Sequence, residues 1–84
     1  MGKLQVELVS PEKRVWSGEA TQISARTLDG DLGILPGHTP LLGVLVDGLV
    51  SIKGVDGTVS EFNVHGGFLS VAKNRVSILG ERTD

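Results

Sequence analysis

Apolar and polar residues alternate with a period of two along most of the chain. Leu4, Val6 and Leu8 are interleaved with Lys3, Gln5 and Glu7, and Thr21, Ile23, Ala25 and Thr27 with Gln22, Ser24 and Arg26. Val50 and Ile52 flank Ser51, Phe62 and Val64 flank Asn63, and Val76 and Ile78 flank Ser77. Successive side chains of a strand point to opposite faces, so this pattern predicts half-buried β-strands; a helix would repeat its apolar stripe about every 3.6 residues. Turn signals separate the runs: Ser10-Pro11, Trp16-Ser17-Gly18, Asp29-Gly30, Asp47-Gly48, Asp56-Gly57 and Lys73-Asn74. Asp56-Gly57 is the strongest hairpin signal among them, because a type I′ turn needs positive φ at both central residues. The 12 glycines argue against helix, where each costs roughly 1 kcal/mol relative to alanine. Glu19 to Asp29 is a window of helical length free of glycine and proline, but its Thr21, Ile23 and Thr27 favour a strand. Strands recurring every ~8–12 residues with short turns describe a β-sandwich or a small barrel, and spacing alone does not choose between them.

One segment breaks the alternation. Leu41 to Val46 contains five aliphatic residues and Gly43, so it is apolar on both strand faces. A strand in a solvent-facing antiparallel sheet should alternate. The chain offers little material to cover the second face, and leaving it wet would invite association. This predicts that another chain covers it. The segment follows a loop, Gly30 to Pro40, that holds three glycines and two prolines with no nucleophile and no cluster of metal ligands.

Composition narrows the function classes. Eighty-four residues predict one domain, spanning 1–84. A chain of this length buries only roughly 60% of its extended surface on folding. No cysteine is present, so disulfides and thiolate metal sites are excluded. The net charge of −2 arises from 10 acidic and 8 basic residues without runs, and Trp16, Phe62 and Phe68 are the only aromatics. Neither a basic stripe nor a stacking platform for nucleic acid is present. No apolar run approaches the ~20 residues of a membrane helix, and the N-terminus lacks a signal-peptide core. The expectation is a soluble intracellular protein that meets a membrane only through a partner.

The candidate chemical sites have plainer readings. His38 between Gly37 and Thr39 is a conceivable base, yet no Ser-His-Asp or Cys-His arrangement can be assembled around it, so a loop-fixing or interface role is preferred. Asp29-Gly30-Asp31 opens like a calcium loop but has Pro40 where the bidentate glutamate belongs; turn chemistry explains it. His65-Gly66-Gly67 leads into the strand-like Phe68-Leu69-Ser70-Val71 rather than a helix, so a bulge or close backbone approach explains the glycines better than a phosphate cradle. Trp16 reads as core or as a rim anchor. No catalytic residue, metal site, cofactor or small-molecule ligand is assigned.

From Leu4 to Leu79 the sequence resembles the N-terminal domain of the epsilon subunit of the F-type ATP synthase. The resemblance is carried by Val6 to Ser10 with Trp16-Ser17-Gly18, by Asp29-Gly30-Asp31-Leu32-Gly33-Ile34-Leu35-Pro36-Gly37-His38-Thr39-Pro40-Leu41, by Gly66-Gly67-Phe68, and by Val76 to Leu79. Asp31 stands where many members carry glutamate. The resemblance implies an all-β fold, a flattened ten-stranded sandwich of two five-stranded sheets. It implies a non-catalytic rotor domain of the central stalk, linking the gamma subunit to the c-ring at the cytoplasmic face of the bacterial membrane. Leu28, Asp29, Gly30 and Asp31 would face the c-ring. His38, Thr39, Pro40, Leu41 and Leu42 would face gamma, while Gly33, Pro36, Gly37, Gly66 and Gly67 would shape turns. The family continues into a helical hairpin to which nothing in this sequence corresponds, so nucleotide binding and latch-type inhibition are not assigned to these residues.

The competing reading is a lipoyl- or biotinyl-carrier domain, similarly short, all-β and acidic. Such a domain presents its modified lysine at a hairpin tip among acidic, aliphatic or methionine residues. Lys13, Lys53 and Lys73 lack that setting in sequence, with Lys53 before Gly54 and Lys73 before Asn74.

Overall fold

The computed structural model describes residues 2–83; Met1 and Asp84, the outer bounds of the expected domain, lie outside the described residues. Eight strands follow one another: β1 (Leu4–Val9), β2 (Arg14–Thr27), β3 (Gly30–Ile34), β4 (Leu41–Leu45), β5 (Gly48–Gly54), β6 (Val59–Val64), β7 (Gly67–Ala72) and β8 (Arg75–Gly80). The alternation predicted from sequence is the alternation of burial. Leu4, Val6, Leu8, Ile23, Ala25, Thr27, Val50, Ile52, Val64, Val76 and Ile78 are all buried, and their polar neighbours face out. The buried apolar side chains form one cluster, with Val15, Trp16, Leu32, Leu41 and Phe62 packed on it.

The hydrogen-bonded path runs β1-β8-β7-β4-β2-β5-β6, with β3 on β2 and a further β1–β2 pairing. Strand β2 makes this path fold over on itself. Its first half pairs with β1, from Leu4↔Ala20 to Val9↔Arg14. Its second half pairs with β5 and β3, where Ile23 opposes both Ile52 and Ile34. The pairing slips between Ala20 and Gln22, and such an irregularity bends and twists a strand. One layer therefore comprises β4, β7, β8, β1 and the start of β2. The other comprises β6, β5, the end of β2 and β3. Each contributes its inward residues to the common core.

Three expectations need correction. The described residues form eight strands rather than ten, and the hydrogen bonds join them along one path rather than in two separate sheets. The reason is that Trp16-Ser17-Gly18 is no turn: it lies inside the 14-residue β2, opposite Leu8, Glu7 and Val6. The β5–β6 hairpin is also built differently. Only Gly57 has positive φ there, and its N–H donates to the Gly54 carbonyl at 3.0 Å while Gly54 N–H donates to the Thr58 carbonyl at 2.8 Å. That is a type I turn closed by a left-handed glycine, not type I′. The two-residue turn with both φ positive is Lys73-Asn74, at 50° and 62°, between the paired Ala72 and Arg75.

Candidate functional site

Strand β4 decides where the exposed apolar surface falls. Leu41, Gly43 and Leu45 turn inward, opposite Val71, Leu69 and Gly67 of β7. Leu42 and Val44 turn outward and remain 74% and 42% exposed. Internal cover thus exists for one face only. Val44 lies opposite Phe68, Phe68 opposite Leu79, and Leu79 opposite Val9, so a single apolar row crosses four strands. Phe68 is 51% exposed and Leu79 46%. Directly opposed side chains on a sheet lie ~4.5–5.5 Å apart and touch. The row is therefore a continuous strip, widened by Leu42.

Sequence reasoning reached Leu42 and, through the doubly apolar Leu41 to Val46, Val44, but missed Phe68, Leu79 and Val9. The signal was available. Phe68 precedes Leu69 and Leu79 follows Ile78, so each occupies the outward phase of a strand whose inward phase is already aliphatic. Leu41, assigned to the gamma side by the resemblance, packs inward against the core.

The loop from Leu35 to Pro40 leads into this face. Its tight part is a type II turn: His38 N–H donates to the Leu35 carbonyl at 3.1 Å, Pro36 fills the first central position and Gly37 the second. Gly37 has φ of 88°, which that position requires and a side chain would resist. His38 Nδ1 lies 2.7 Å from the Thr39 carbonyl, so the ring is held locally. No nucleophile or carboxylate is recorded against it. Pro36 and Gly37 are thus the central residues of a turn, whereas Gly33 is in a strand. It sits within β3 opposite Ser24, with extended backbone and open space where a Cβ would project.

The turn Leu28-Asp29 lies at the other end of β4. Leu28 N–H donates to the Val44 carbonyl at 3.0 Å, and Thr27 Oγ1 both donates to the Gly30 carbonyl at 3.0 Å and accepts from Asp29 N–H at 3.2 Å. Leu28, Asp29, Gly30 and Asp31 are all exposed together, and Arg26 Nε donates to Asp31 Oδ1 at 3.1 Å. Beside them, Gly66 and Gly67 both have positive φ, 75° and 124°. A Cβ on Gly67 would overlap the Leu79 carbonyl of the neighbouring strand. This is the close backbone approach read from the sequence. The carboxylate of Glu81 lies against Gly66, which disfavours an anion there.

Among the described residues, no three His, Asp or Glu side chains gather as a metal-holding group. Lys73 stands at a hairpin tip, where the Lys73-Asn74 turn signal puts it, but its neighbour Asn74 is no carrier-type flank and ties that tip to the loop at Gly37. No helix among the described residues is long and apolar enough to cross a membrane.

Comparison with known proteins follows this geometry. Residues 3–83 match the family described as the ATP synthase, Delta/Epsilon chain, beta-sandwich domain. The ATP synthase epsilon chain of Streptomyces avermitilis is 54% identical over 79 residues, which are 94% of this chain and 64% of the relative. That of Rhodococcus erythropolis is 53% identical over 85 residues, covering 100% of this chain and 70% of the relative, and that of Micrococcus luteus is 53% identical over 78 residues, covering 93% and 86%. The chain thus spans about two thirds of the length of the first two relatives. Among solved structures, a chain of the Euglena gracilis mitochondrial ATP synthase (OSCP/F1/c-ring) superposes with a TM-score of 0.93 at 21% identity, over 100% of this chain and 54% of that one. A chain of the Tetrahymena thermophila mitochondrial ATP synthase central stalk and c-ring does so with 0.80 at 24% identity, over 99% and 66%. These two likenesses establish the fold.

Proposed function

The chain belongs to the family of ATP synthase delta/epsilon β-sandwich domains, and from that premise we propose that it is a non-catalytic rotor domain of the central stalk, linking the gamma subunit to the c-ring of a proton-translocating ATP synthase at the cytoplasmic face of the membrane. The observation that carries the reading is the apolar row Val44-Phe68-Leu79-Val9 with Leu42 beside it. Burying a Leu, Val or Phe side chain fully is worth ~1.5–3 kcal/mol. Five such residues on one face give a protein partner several kcal/mol of potential stabilisation that water leaves unused. A small-molecule site would need a concave, enclosed surface instead, and this strip lies on the outside of a sheet.

In this reading gamma covers the strip and the adjoining His38, Thr39, Pro40 and Leu42, while Leu41 supports the strip from below. The turn Leu28–Asp31 meets the c-ring. The His38–Pro40 loop and the turn Leu28–Asp31 sit at opposite ends of β4, about 14 Å apart at ~3.4 Å per residue, and the strip reaches toward the turn at Val44, whose carbonyl accepts the Leu28 N–H. Strand β2 is paired in both layers, so force entering at the Leu28–Asp31 end passes along hydrogen-bonded strands rather than through a flexible joint. Rotation of the ring and of gamma would then proceed without shear inside the domain.

A pull-down with the cognate gamma subunit tests this. The wild-type chain is expected to bind at micromolar concentration. Leu42→Asp and Phe68→Asp are each expected to weaken binding about 100-fold, the range of a buried interface anchor, with the thermal midpoint of the free chain almost unchanged. Ser51→Asp on the other layer should bind as wild type. Absence of wild-type binding overturns the gamma assignment, and a matching loss of thermal stability in Leu42→Asp would make Leu42 a core residue.

A further inference from the structure

Few hydrogen bonds hold the loop Leu35–Pro40 among the described residues, although Pro36 packs closely on Gly2. Pro36 and Pro40 have no N–H to donate, and two of the recorded hydrogen bonds, His38 N–H to the Leu35 carbonyl and His38 Nδ1 with the Thr39 carbonyl, lie within the loop itself. One hydrogen bond is recorded between this loop and the rest of the described molecule. Gly37 N–H donates to Asn74 Oδ1 at 2.7 Å. The two residues are 37 apart in sequence. Asn74 is anchored in turn, because its own carbonyl accepts the Gln5 N–H at 2.8 Å. Its backbone sits at φ 62° in the two-residue β7–β8 turn.

We propose that Asn74 is a positioning residue for the docking face: it clasps the Pro36-Gly37-His38 turn to the β7–β8 hairpin and to β1, so that the loop is already in its binding shape before the partner arrives. Two demands meet at this position. The turn requires a residue that tolerates the left-handed region, which glycine, asparagine and aspartate do. The clasp requires a side-chain oxygen at short reach, which excludes glycine. Gly37 meets the complementary demand, since its φ of 88° sets the direction of the N–H that Asn74 accepts. A loop ordered beforehand does not lose its conformational freedom at the moment of binding. A loop competent only part of the time lowers apparent affinity by that fraction.

The proposal rests on the reading that His38, Thr39 and Pro40 meet gamma, and its test separates the two. Asn74→Gly keeps the turn and removes the clasp; Asn74→Asp keeps both turn tolerance and an acceptor oxygen. Amide hydrogen exchange of Gly37, read by NMR on the free chain, reports the clasp without any partner. Titration with the cognate gamma subunit reports docking. Asn74→Gly is expected to speed Gly37 exchange and to weaken gamma binding, each about fivefold, the equivalent of the ~1 kcal/mol that a neutral hydrogen bond contributes. Asn74→Asp is expected to restore both. Unchanged Gly37 exchange in Asn74→Gly overturns the clasp itself. Faster exchange with undiminished gamma binding overturns its part in docking. If the wild-type chain does not bind gamma, the docking assignment falls while the exchange result still decides the clasp.

Discussion

Two rows of four residues cross the outer faces of the two layers, and they differ in chemistry. On one layer the row is Val44, Phe68, Leu79 and Val9. On the other it is Gly33, Ser24, Ser51 and Glu61. Both stand on equally aliphatic interiors, with Leu69, Ile78 and Leu8 inside the first layer and Ile34, Ile23 and Ile52 inside the second. The serine row demonstrates that this architecture closes its core without apolar residues outside. The second layer does expose Leu49 and Val59, each opposite a polar residue, Asn63 and Lys53, and at its rim Leu35 and Val55, which line one hollow with Pro36, but these do not line up in a row across its strands. The apolar outer row is therefore a surplus that the second layer does without, and it is this surplus on which the docking proposal rests.

The sharpest way to break that contrast is to cut the same strand on its two sides. Leu69→Ala removes a fully buried side chain of β7 and should cost about 3 kcal/mol of folding stability, the usual range for Leu→Ala being ~2–5 kcal/mol. Phe68→Ala, one residue away and half exposed, should cost less than ~1 kcal/mol. Urea titration of both variants measures the pair. Equal losses would mean that the outer row holds the fold together, and the comparison would lose its meaning.

Much of this was legible in the sequence because burial in a sheet is read directly from a period of two. Leu4 to Leu8, Ile23 to Thr27 and Val76 to Ile78 were placed with the right face inward for that reason alone. In the doubly apolar Leu41 to Val46, one face packs inward and the other leaves Leu42 and Val44 exposed. The full width of that face was less visible, since Phe68 and Leu79 show their meaning only once β7 and β8 are paired with β4 and β1. Turn identity was misjudged where two local signals competed. Asp56-Gly57 has the residues of a type I′ turn, yet Asp56 instead accepts the Thr58 N–H at 2.9 Å and the glycine alone adopts positive φ. Gly18 suggested a break that pairing with Val6 overrides. The Asn74–Gly37 clasp joins residues too distant in sequence for any local pattern to reveal.

A smaller effect sharpens the contrast at the end of the polar layer. Asp31 faces Arg26 across β2 and β3, both exposed, with the 3.1 Å ion pair between them. Exposed pairs contribute roughly 0–1 kcal/mol, and Asp31→Lys would set two cations opposite each other. Stability should fall by less than ~1 kcal/mol and gamma binding should not change. Proton pumping by the reconstituted synthase should drop if this turn meets the c-ring. Undiminished pumping would remove Asp31 from the ring footprint and leave the gamma strip as the sole functional surface of the domain.

The smallest expected effect lies in the β5–β6 turn of the same polar layer. The Asp56 carboxyl is held below the ordinary aspartate range, chiefly because the backbone N–H of Thr58 donates to it, with a second contribution from the Thr58 side chain. A hydrogen bond to the charged form favours that form. The folded-state pKa lies below the unfolded one, so the contribution is fully present above the unfolded value and disappears as pH falls through the folded one. Asp56→Asn keeps an acceptor oxygen but cannot titrate. The difference in thermal midpoint between wild type and Asp56→Asn should be constant from pH 7 down to ~4, the ordinary aspartate range, and should change only below it. Because the carboxylate is fully exposed, the change should be small. Asp56 lies in the β5–β6 turn, away from the apolar strip, so if the strip docks on gamma, binding should be the same for both proteins at each pH across that range; a difference in binding between them would connect the polar layer to the apolar face after all.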